Sequence, residues 1–281
     1  MMDIQARVFY PLTALVTVNT RMSLLSRKVM FPAVIVSFPL LLVLVFRLVF
    51  AIWGPPSSNP EDQDPYNMYS VLCVSLYLQF VVPLIALLKG MTTFYEEIEE
   101  GTLMFLRLRP VPRVVIITGK FLAYVVTVSL LLILSLWGSY AILSSIPGSD
   151  MFWGDLKILI KDTWILCLGL AAYGAVMMLV GTYFKRSILV GIFLLFVWDA
   201  WAAYIPGSAH KFTIKHYLQS IFPHQRESTG VQGVIDTLLS QNTPSTFAVS
   251  VSMLLLIVAG CIALTTLAFQ FKELSGGPEG D

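Results

Sequence analysis

Long apolar runs constrain this chain more than any other feature of its sequence. A helix that crosses a bilayer core of about 30 Å needs about 20 mostly apolar residues. The stretches that reach this length are 29–53, 68–88, 114–146, 164–184, 187–205 and 247–269. A single soluble core cannot bury so many unbroken runs. The sequence therefore predicts an all-α, polytopic membrane protein with six transmembrane helices.

The composition agrees with a membrane location. Of 281 residues, 57% are hydrophobic and only 12% are charged, whereas soluble domains are about one quarter charged. The formal net charge of +1 gives no reason to expect a nucleic-acid partner. The three cysteines lie inside apolar runs without CxxC or Cys/His spacing, so neither a disulfide framework nor a zinc site is expected.

The Lys and Arg residues predict the orientation of the spans, because cytoplasmic connections are enriched in them. When the connections are assigned alternately to the two sides, one side carries most of these residues, and Arg47 lies within a span. The richer side holds Arg7, Arg21, Arg27, Lys28, Lys89, Arg107, Arg109, Arg113, Lys120, Lys185, Arg186 and Lys272. The poorer side holds Lys157, Lys161, Lys211, Lys215 and Arg226. We therefore expect both termini in the cytoplasm and the protein in the cell (inner) membrane.

The segments between and around the spans complete a single transmembrane domain, 1–281. Apolar residues recur at roughly helical spacing over 1–28, which predicts an amphipathic helix lying on the membrane lipid or, alternatively, an extension of the first span. The first apolar run lacks a cleavage site, so we expect the N-terminus to be retained. Residues 89–113 are a cytoplasmic connection, 206–246 the longest outer loop and 270–281 a cytoplasmic tail.

The connection 89–113 contains an acidic cluster on the side where cations are expected. Its carboxylates are Glu96, Glu97, Glu99 and Glu100. The apolar residues of one predicted helical face are Phe94, Ile98 and Phe105. A short acidic amphipathic helix between two spans suits docking to a soluble subunit, because an apolar ridge fits a groove and a charged rim orients it. A solvated surface helix is the plainer alternative, and no catalytic residues are expected here.

This stretch resembles the ABC-2-type permeases, which are the membrane subunits of ATP-driven exporters. It reads Glu96-Glu97-Ile98-Glu99-Glu100-Gly101-Thr102-Leu103, then Leu106, Arg109-Pro110-Val111-Pro112-Arg113 and Gly119-Lys120. The family pattern is E-x-x-x-G-T-L, then L, P-V-s-R and G-K, and its element is the coupling helix that contacts the ATPase. The resemblance implies that the contact residues are Glu96, Glu97, Ile98, Glu100, Gly101 and Thr102. It also implies a second, smaller contact at Lys185 and Arg186, in the turn between two spans.

The same resemblance implies a half-transporter. No G-x-x-x-x-G-K-[ST] phosphate-binding loop occurs in the sequence. ATP and magnesium are therefore expected in a separate partner chain, and no cofactor or enzymatic activity is expected in this one. The resemblance implies two ATPase subunits, together with a second copy of this permease or a related permease.

The run 114–146 is longer than a span needs and is expected to begin before the membrane, so Lys120 counts with the cytoplasmic residues. Two other charged residues, Arg47 and Asp199, lie inside predicted spans. A charge within a membrane is costly and is usually paired or lines a cavity. We therefore expect an ion pair or a translocation path at these residues; alternatively, Arg47 extends to the interface and Asp199 meets water there. The histidines of the outer loop, His210, His216 and His224, lack the spacing of a compact metal site.

Two other classes of function are compatible with the sequence. A stand-alone membrane carrier or membrane-embedded enzyme would act without an ATPase partner, but carriers usually have more intramembrane charges or repeated halves. A scaffolding membrane subunit is the other alternative. A P-loop ATPase encoded in the adjacent reading frame would favour the half-transporter. The substrate stays open among amphiphiles, lipids, glycans, drugs and the components of a metal centre.

Overall fold

The structure, a computed structural model, describes most of the predicted membrane region. The described residues are 30–53, 65–92, 113–145, 155–184, 187–198, 213–222 and 246–275, together with 13, 16–18, 20 and 21. Over these residues the chain is almost entirely helical and contains no strand. The all-α prediction is therefore confirmed for this part of the chain. Most of the predicted N-terminal helix 1–28 lies outside the described residues.

We number the helices in chain order. The purely α-helical elements are α1 Met30–Trp53, α3 Arg113–Ser144, α4 Leu156–Tyr183, α6 Ile214–Ile221 and α7 Phe247–Ser275. Helix α2 consists of the α-helical stretches Pro65–Leu72 and Val82–Ile85 and the π-helical stretches Cys73–Val81 and Ala86–Gly90. Helix α5 is α-helical over Ser187–Ile192 and π-helical over Phe193–Trp198.

Among the described residues, five helices are long and apolar enough to cross a membrane. They are Met30–Val49, Met68–Gly90, Val114–Ser144, Leu156–Tyr183 and Phe247–Ala268. These helices correspond to five of the six predicted spans. The remaining prediction, the span 187–205, corresponds to α5, of which the structure describes only the part that ends at Trp198. The sixth crossing therefore stays a prediction.

Helix α4 begins earlier than the apolar run that predicts it. The predicted span starts at residue 164, whereas the helix starts at Leu156. Leu159 and Ile160 extend its apolar spacing toward the N-terminus, and the carbonyl of Asp155 accepts hydrogen bonds from the backbone N–H groups of Ile158 and Leu159. Residues 156–163, predicted as part of an outer connection, are therefore part of the helix.

Helix α4 is the centre of the bundle. In its most apolar stretch 72% of the residues are buried, against 22% in α1 and 11% in α7. It packs against α2, α3, α5, α6 and α7, whereas α1 packs mainly on α3. In a membrane, α1 and α7 therefore turn most of their surface toward lipid or another chain, while α4 is enclosed by protein.

The helices alternate in direction, so the bundle has two distinct ends. We call the end with residues 30, 92, 113, 183 and 187 the inner end, since the sequence predicts it to be cytoplasmic. The opposite end, with residues 53, 65, 144, 156 and 246, is the outer end. Contacts near each end agree with this arrangement: Gly90 lies against Gly174, and Arg47 contacts Ser145.

Helix α6 belongs to the predicted outer loop 206–246 but packs into the bundle. The hydroxyl of Thr213 caps it by accepting a hydrogen bond from the backbone N–H of His216 at 3.3 Å. Leu218 is fully buried, and a Cβ atom added at Gly169 would lie 2.9 Å from one of its methyl carbons. Gly169 is about 20 Å from the inner end of α4, which is within the bilayer core. This part of the loop therefore re-enters the membrane region.

Cross-linking tests the position of α6. In a chain whose native cysteines are replaced by alanine, Gly169→Cys and Leu218→Cys together should form a disulfide on mild oxidation, because their side chains point at each other. Gly169→Cys with Ser220→Cys is the matched control, since residue 220 lies on the opposite face of α6. The disulfide is detected by mass spectrometry of the protein with and without a reducing agent. If both cysteine pairs form a disulfide to the same extent, this packing of α6 is contradicted.

Candidate functional site at the inner end

All of the residues predicted to contact an ATPase partner lie outside the described residues. They are Glu96, Glu97, Ile98, Glu100, Gly101, Thr102, Lys185 and Arg186. What the structure describes is the frame that carries them, namely the ends of α2 and α4 and the starts of α3 and α5. The geometry of this frame decides whether the two predicted contact segments leave the bundle together.

Glycines bring the backbones of α2 and α4 into close contact at the inner end. A Cβ atom added at Gly90 would lie 3.0 Å from the Cβ of Met177 and 3.2 Å from the carbonyl oxygen of Gly174. A Cβ atom added at Gly181 would lie 3.0 Å from the carbonyl oxygen of Met91 and 3.1 Å from its Cα. Small residues at such positions are how helices associate closely in a membrane.

Helices α3 and α5 join the same contact through two more glycine sites. Gly191 of α5 faces Leu87 and Met91 of α2, and a Cβ atom at position 191 would collide with both side chains. Gly174 of α4 faces the ring of Tyr124 of α3, whose hydroxyl donates to the carbonyl of Leu170 at 3.4 Å. We call the inner half of the bundle, where these contacts join the four helices, the inner platform.

The inner platform holds the starting points of both predicted contact segments. Met91, which touches Gly181 and Gly191, precedes the acidic segment by five residues. Gly181 precedes Lys185 by four residues. The chain therefore enters both segments from the same platform, and the structure of the segments themselves lies outside the described residues.

Lys120 lies deeper than the sequence suggests. The sequence predicts Lys120 on the cytoplasmic side, but it lies within α3 about 10 Å from the helix start and is only 3% exposed. Ile117 and Phe121 beside it are also buried. The apolar-run criterion gives no information on burial within a span, so only the packing of α3 in the bundle shows that this cation is enclosed.

Arg47 ties α1 to α3 near the outer end. Its Nη2 donates a hydrogen bond of 2.8 Å to the backbone carbonyl of Ser145, immediately after α3 ends. A cation is favoured there, because the carbonyl groups at a helix C-terminus carry partial negative charge. Asp199 lies outside the described residues, so its pairing with Arg47 stays a prediction.

A buried acid at the outer end was missed by sequence reasoning. Asp162 of α4 is fully buried, and its Oδ2 accepts a hydrogen bond of 3.1 Å from the hydroxyl of Tyr69 in α2. The ring of Tyr140 in α3 meets that of Tyr69 edge to face, with centroids 5.3 Å apart. One sequence signal could have identified it. Leu159 and Leu166 lie three residues before and four residues after Asp162, so the three side chains share one helical face, which is the face that packs into the bundle.

A second polar contact lies deeper between α2 and α3. The hydroxyl of Tyr77 is 2.8 Å from the hydroxyl of Ser135 and 3.0 Å from that of Ser139. Ser135 in turn donates to the carbonyl of Val36 in α1 at 2.6 Å. All of these side chains are buried, so hydrogen bonds link three membrane-spanning helices inside the bundle.

Comparison with known proteins assigns the chain to a family. Residues 22–199 match the family model described as ABC-2 family transporter protein. This range is more than half of the chain and includes the connection 89–113 and the whole inner platform. No curated protein matches the chain.

Substitution of Gly181 tests the inner platform. Gly181→Ala should lower the unfolding temperature of the detergent-solubilised protein, because the new methyl group meets the backbone of Met91, and overpacking costs about 1–3 kcal/mol. Gly260→Ala is the matched control, since a Cβ atom at that position has nothing within 4 Å. The control should be neutral or slightly stabilising. Equal shifts of the two unfolding temperatures would refute the close contact.

Arg47→Met tests the link between α1 and α3. Methionine keeps an apolar chain of similar length but cannot donate to the carbonyl of Ser145. The substitution should lower the free energy of unfolding by about 1.5–3 kcal/mol, measured through the unfolding temperature. The predicted ion pair has its own test, in which Arg47→Asp and Asp199→Arg are made singly and together. If the double variant recovers the unfolding temperature or activity that the single variants lose, the ion pair is supported. A wild-type unfolding temperature in Arg47→Met would show that the hydrogen bond contributes nothing to stability.

Proposed function

Because this chain belongs to the ABC-2 family of transporter proteins and is a multi-pass membrane permease, we propose that it acts with a separate ATPase subunit as an exporter. The permease would form the substrate path, and the partner would bind ATP and magnesium. The family assignment is the observation that carries this proposal. Two ATPase subunits and a second copy of this chain, or a related permease, would complete the transporter.

The inner platform supports the position proposed for the ATPase. Helices α2 and α3 flank the segment that holds Glu97, and α4 and α5 flank the turn that holds Lys185 and Arg186. The close contacts of Gly181 and Gly191 with Met91 bring the ends of α2 and α4 and the start of α5 together. A single soluble partner could therefore reach both segments at once.

The charges of the two segments suit a partner bound in one orientation. The first segment is acidic, with Glu96, Glu97 and Glu100, and the turn is basic, with Lys185 and Arg186. A partner that offers a basic groove to the first and an acidic patch to the second would be held in one orientation, since the reversed orientation places like charges together. Ile98 would supply the apolar contact in the groove.

Transmission of movement follows from the packing at the inner end. Contacts between backbones leave no loose side chain to absorb a displacement, and packed interiors transmit strain. ATP binding and hydrolysis in the partner would displace the segment 89–113, and Gly90 and Met91 would pass that displacement directly to α4. The spans would then alternate between inward-facing and outward-facing arrangements.

Co-purification distinguishes this proposal from a stand-alone carrier or membrane enzyme. The chain is expressed with the protein of the adjacent reading frame, which this proposal expects to be a P-loop ATPase, and the complex is isolated in lipid nanodiscs. We expect the two proteins to co-purify and the permease to stimulate ATP hydrolysis. Transport by the purified permease in the absence of any ATPase would favour the alternative functions.

A charge reversal tests the contact within the complex. Glu97→Lys should reduce stimulation of the ATPase by more than tenfold, because loss of a paired interfacial charge costs about 2–5 kcal/mol. Membrane insertion should be unchanged. Glu61→Lys makes the same reversal in the predicted outer loop and should leave stimulation intact. Wild-type stimulation in Glu97→Lys would exclude this residue from the contact.

A further inference from the structure

Helices α2 and α4 separate toward the outer end. Their contact is densest over Ala86–Gly90, weaker over Val82–Ile85 and weaker again over the longer stretch Cys73–Val81. Beyond it, Pro65–Leu72 makes little backbone contact with α4. The backbones of the two helices therefore diverge from the inner platform toward the outer end. We call the region between them, which buried side chains of α2, α3 and α4 fill, the wedge.

Polar groups line this wedge. On α2, Tyr69, Cys73 and Tyr77 follow one another at intervals of four residues, close to one helical turn, and all are buried. Asp162 projects from α4, where the hydroxyl of Tyr69 reaches it across the wide end of the wedge. Helix α3 contributes Ser135, Ser139 and Tyr140, which contact Tyr77 or Tyr69.

Such a set of side chains is unusual inside a membrane protein. Polar and ionisable groups within spans are costly, and those that occur face the bundle interior or water and mark transport pathways. The stretch of α2 along the wedge is also π-helical, a conformation found frequently at functional sites. Static packing would be served equally well by apolar side chains, without burial of the carboxylate of Asp162.

We propose that the wedge between α2, α3 and α4 is the outer section of the transport path and that the Tyr69–Asp162 hydrogen bond closes it. The path part of this inference rests on the proposed transport function, whereas opening of the wedge to water is a property of the chain itself. The inner platform is the pivot about which the outer ends of α2 and α4 separate.

The two ends of the wedge are held by different interactions. At the inner end, the contacts of Gly90 and Gly181 depend on backbones that touch, and water cannot replace them. At the outer end, water can accept from the hydroxyl of Tyr69 and donate to the carboxylate of Asp162. A protein hydrogen bond exchanged for water changes the free energy only modestly, and a buried carboxylate gains hydration on exposure. The outer end is therefore the one that opens.

This mechanism predicts opposite effects for the two partners of the hydrogen bond. Tyr69→Phe removes a hydrogen-bond donor to the carboxylate of Asp162, so it favours the open wedge. Asp162→Asn removes the charge that gains most from hydration, so it favours the closed wedge. A merely structural hydrogen bond predicts effects in the same direction, because loss of either partner loosens the bundle.

The native thiol of Cys73 reports whether the wedge is open. Cys73 is fully buried and lies one turn from Tyr69, and a thiol reacts with thiosulfonates as the thiolate, which forms only where water is present. With Cys167 and Cys261 replaced by alanine, Cys73 is the only thiol of the chain. The full-length protein in lipid nanodiscs is treated with a cationic or an anionic membrane-impermeant thiosulfonate, and the labelling rate is measured by mass spectrometry.

We expect Tyr69→Phe to raise the rate about fivefold, the equivalent of about 1 kcal/mol for one hydrogen bond. Asp162→Asn should lower the rate, even though loss of the nearby negative charge by itself favours the thiolate of Cys73. It should also abolish the preference for the cationic reagent that the carboxylate confers. Tyr124→Phe removes a buried hydroxyl that bonds the carbonyl of Leu170 rather than Asp162, so it is the matched control and should leave the rate unchanged. Shifts of equal sign in the two wedge variants, or a reagent preference that survives Asp162→Asn, would overturn the inference.

A second measurement separates this inference from the proposed function. With the ATPase subunit bound, the labelling rate of Cys73 should change when Mg-ATP is added. If Tyr69→Phe and Asp162→Asn shift the labelling rate of Cys73 in opposite directions but no ATPase subunit binds, the gated wedge is supported and the proposed ATPase coupling is refuted. Partner binding and active transport with a labelling rate that never responds to Mg-ATP would refute the wedge as part of the path.

Discussion

The close approach of α2 and α4 at the inner end is the contact on which the rest of the described structure depends. Lipid chains are as apolar as leucine side chains, so helices in a bilayer associate through close packing and hydrogen bonds rather than by escape from water. Gly90, Gly174 and Gly181 provide that packing because they remove the side chains that would separate the backbones. Helices α3 and α5 then join the same platform, and α4 becomes the enclosed centre of the bundle.

The outer end is held by directional polar contacts instead. Tyr69 reaches Asp162 across the wedge, Arg47 reaches the carbonyl that follows α3, and the indole N–H of Trp137 donates to the hydroxyl of Thr163 at 3.2 Å. Water can take the place of such contacts, whereas it cannot replace touching backbones. A bundle built in this way is held by touching backbones at one end and by polar contacts that water can replace at the other, which is the asymmetry that the proposed opening of the wedge requires.

Sequence patterns predicted where most of the spans lie, but they did not predict which polar residues are buried between the helices. Five of the predicted spans have counterparts among the described helices, but α4 begins eight residues before its predicted start because the apolar-run criterion stops at Lys157, Lys161 and Asp162. Burial of Asp162 depends on Tyr69, which is 93 residues away in the chain, so no local pattern contains it. The re-entry of α6 similarly depends on the missing side chain of Gly169.

The sequence by itself determined that the chain is a helical membrane protein and that its connection 89–113 resembles a coupling helix. Both conclusions rest on local properties, since a bilayer requires a minimum length of apolar helix with all backbone hydrogen bonds made within it. Only the tertiary structure decided which helix faces meet, that Lys120 and Asp162 are buried, and that α2 and α4 touch at one end and separate at the other. Those features arise from contacts between distant residues, whose energies depend on shape complementarity that no single segment specifies.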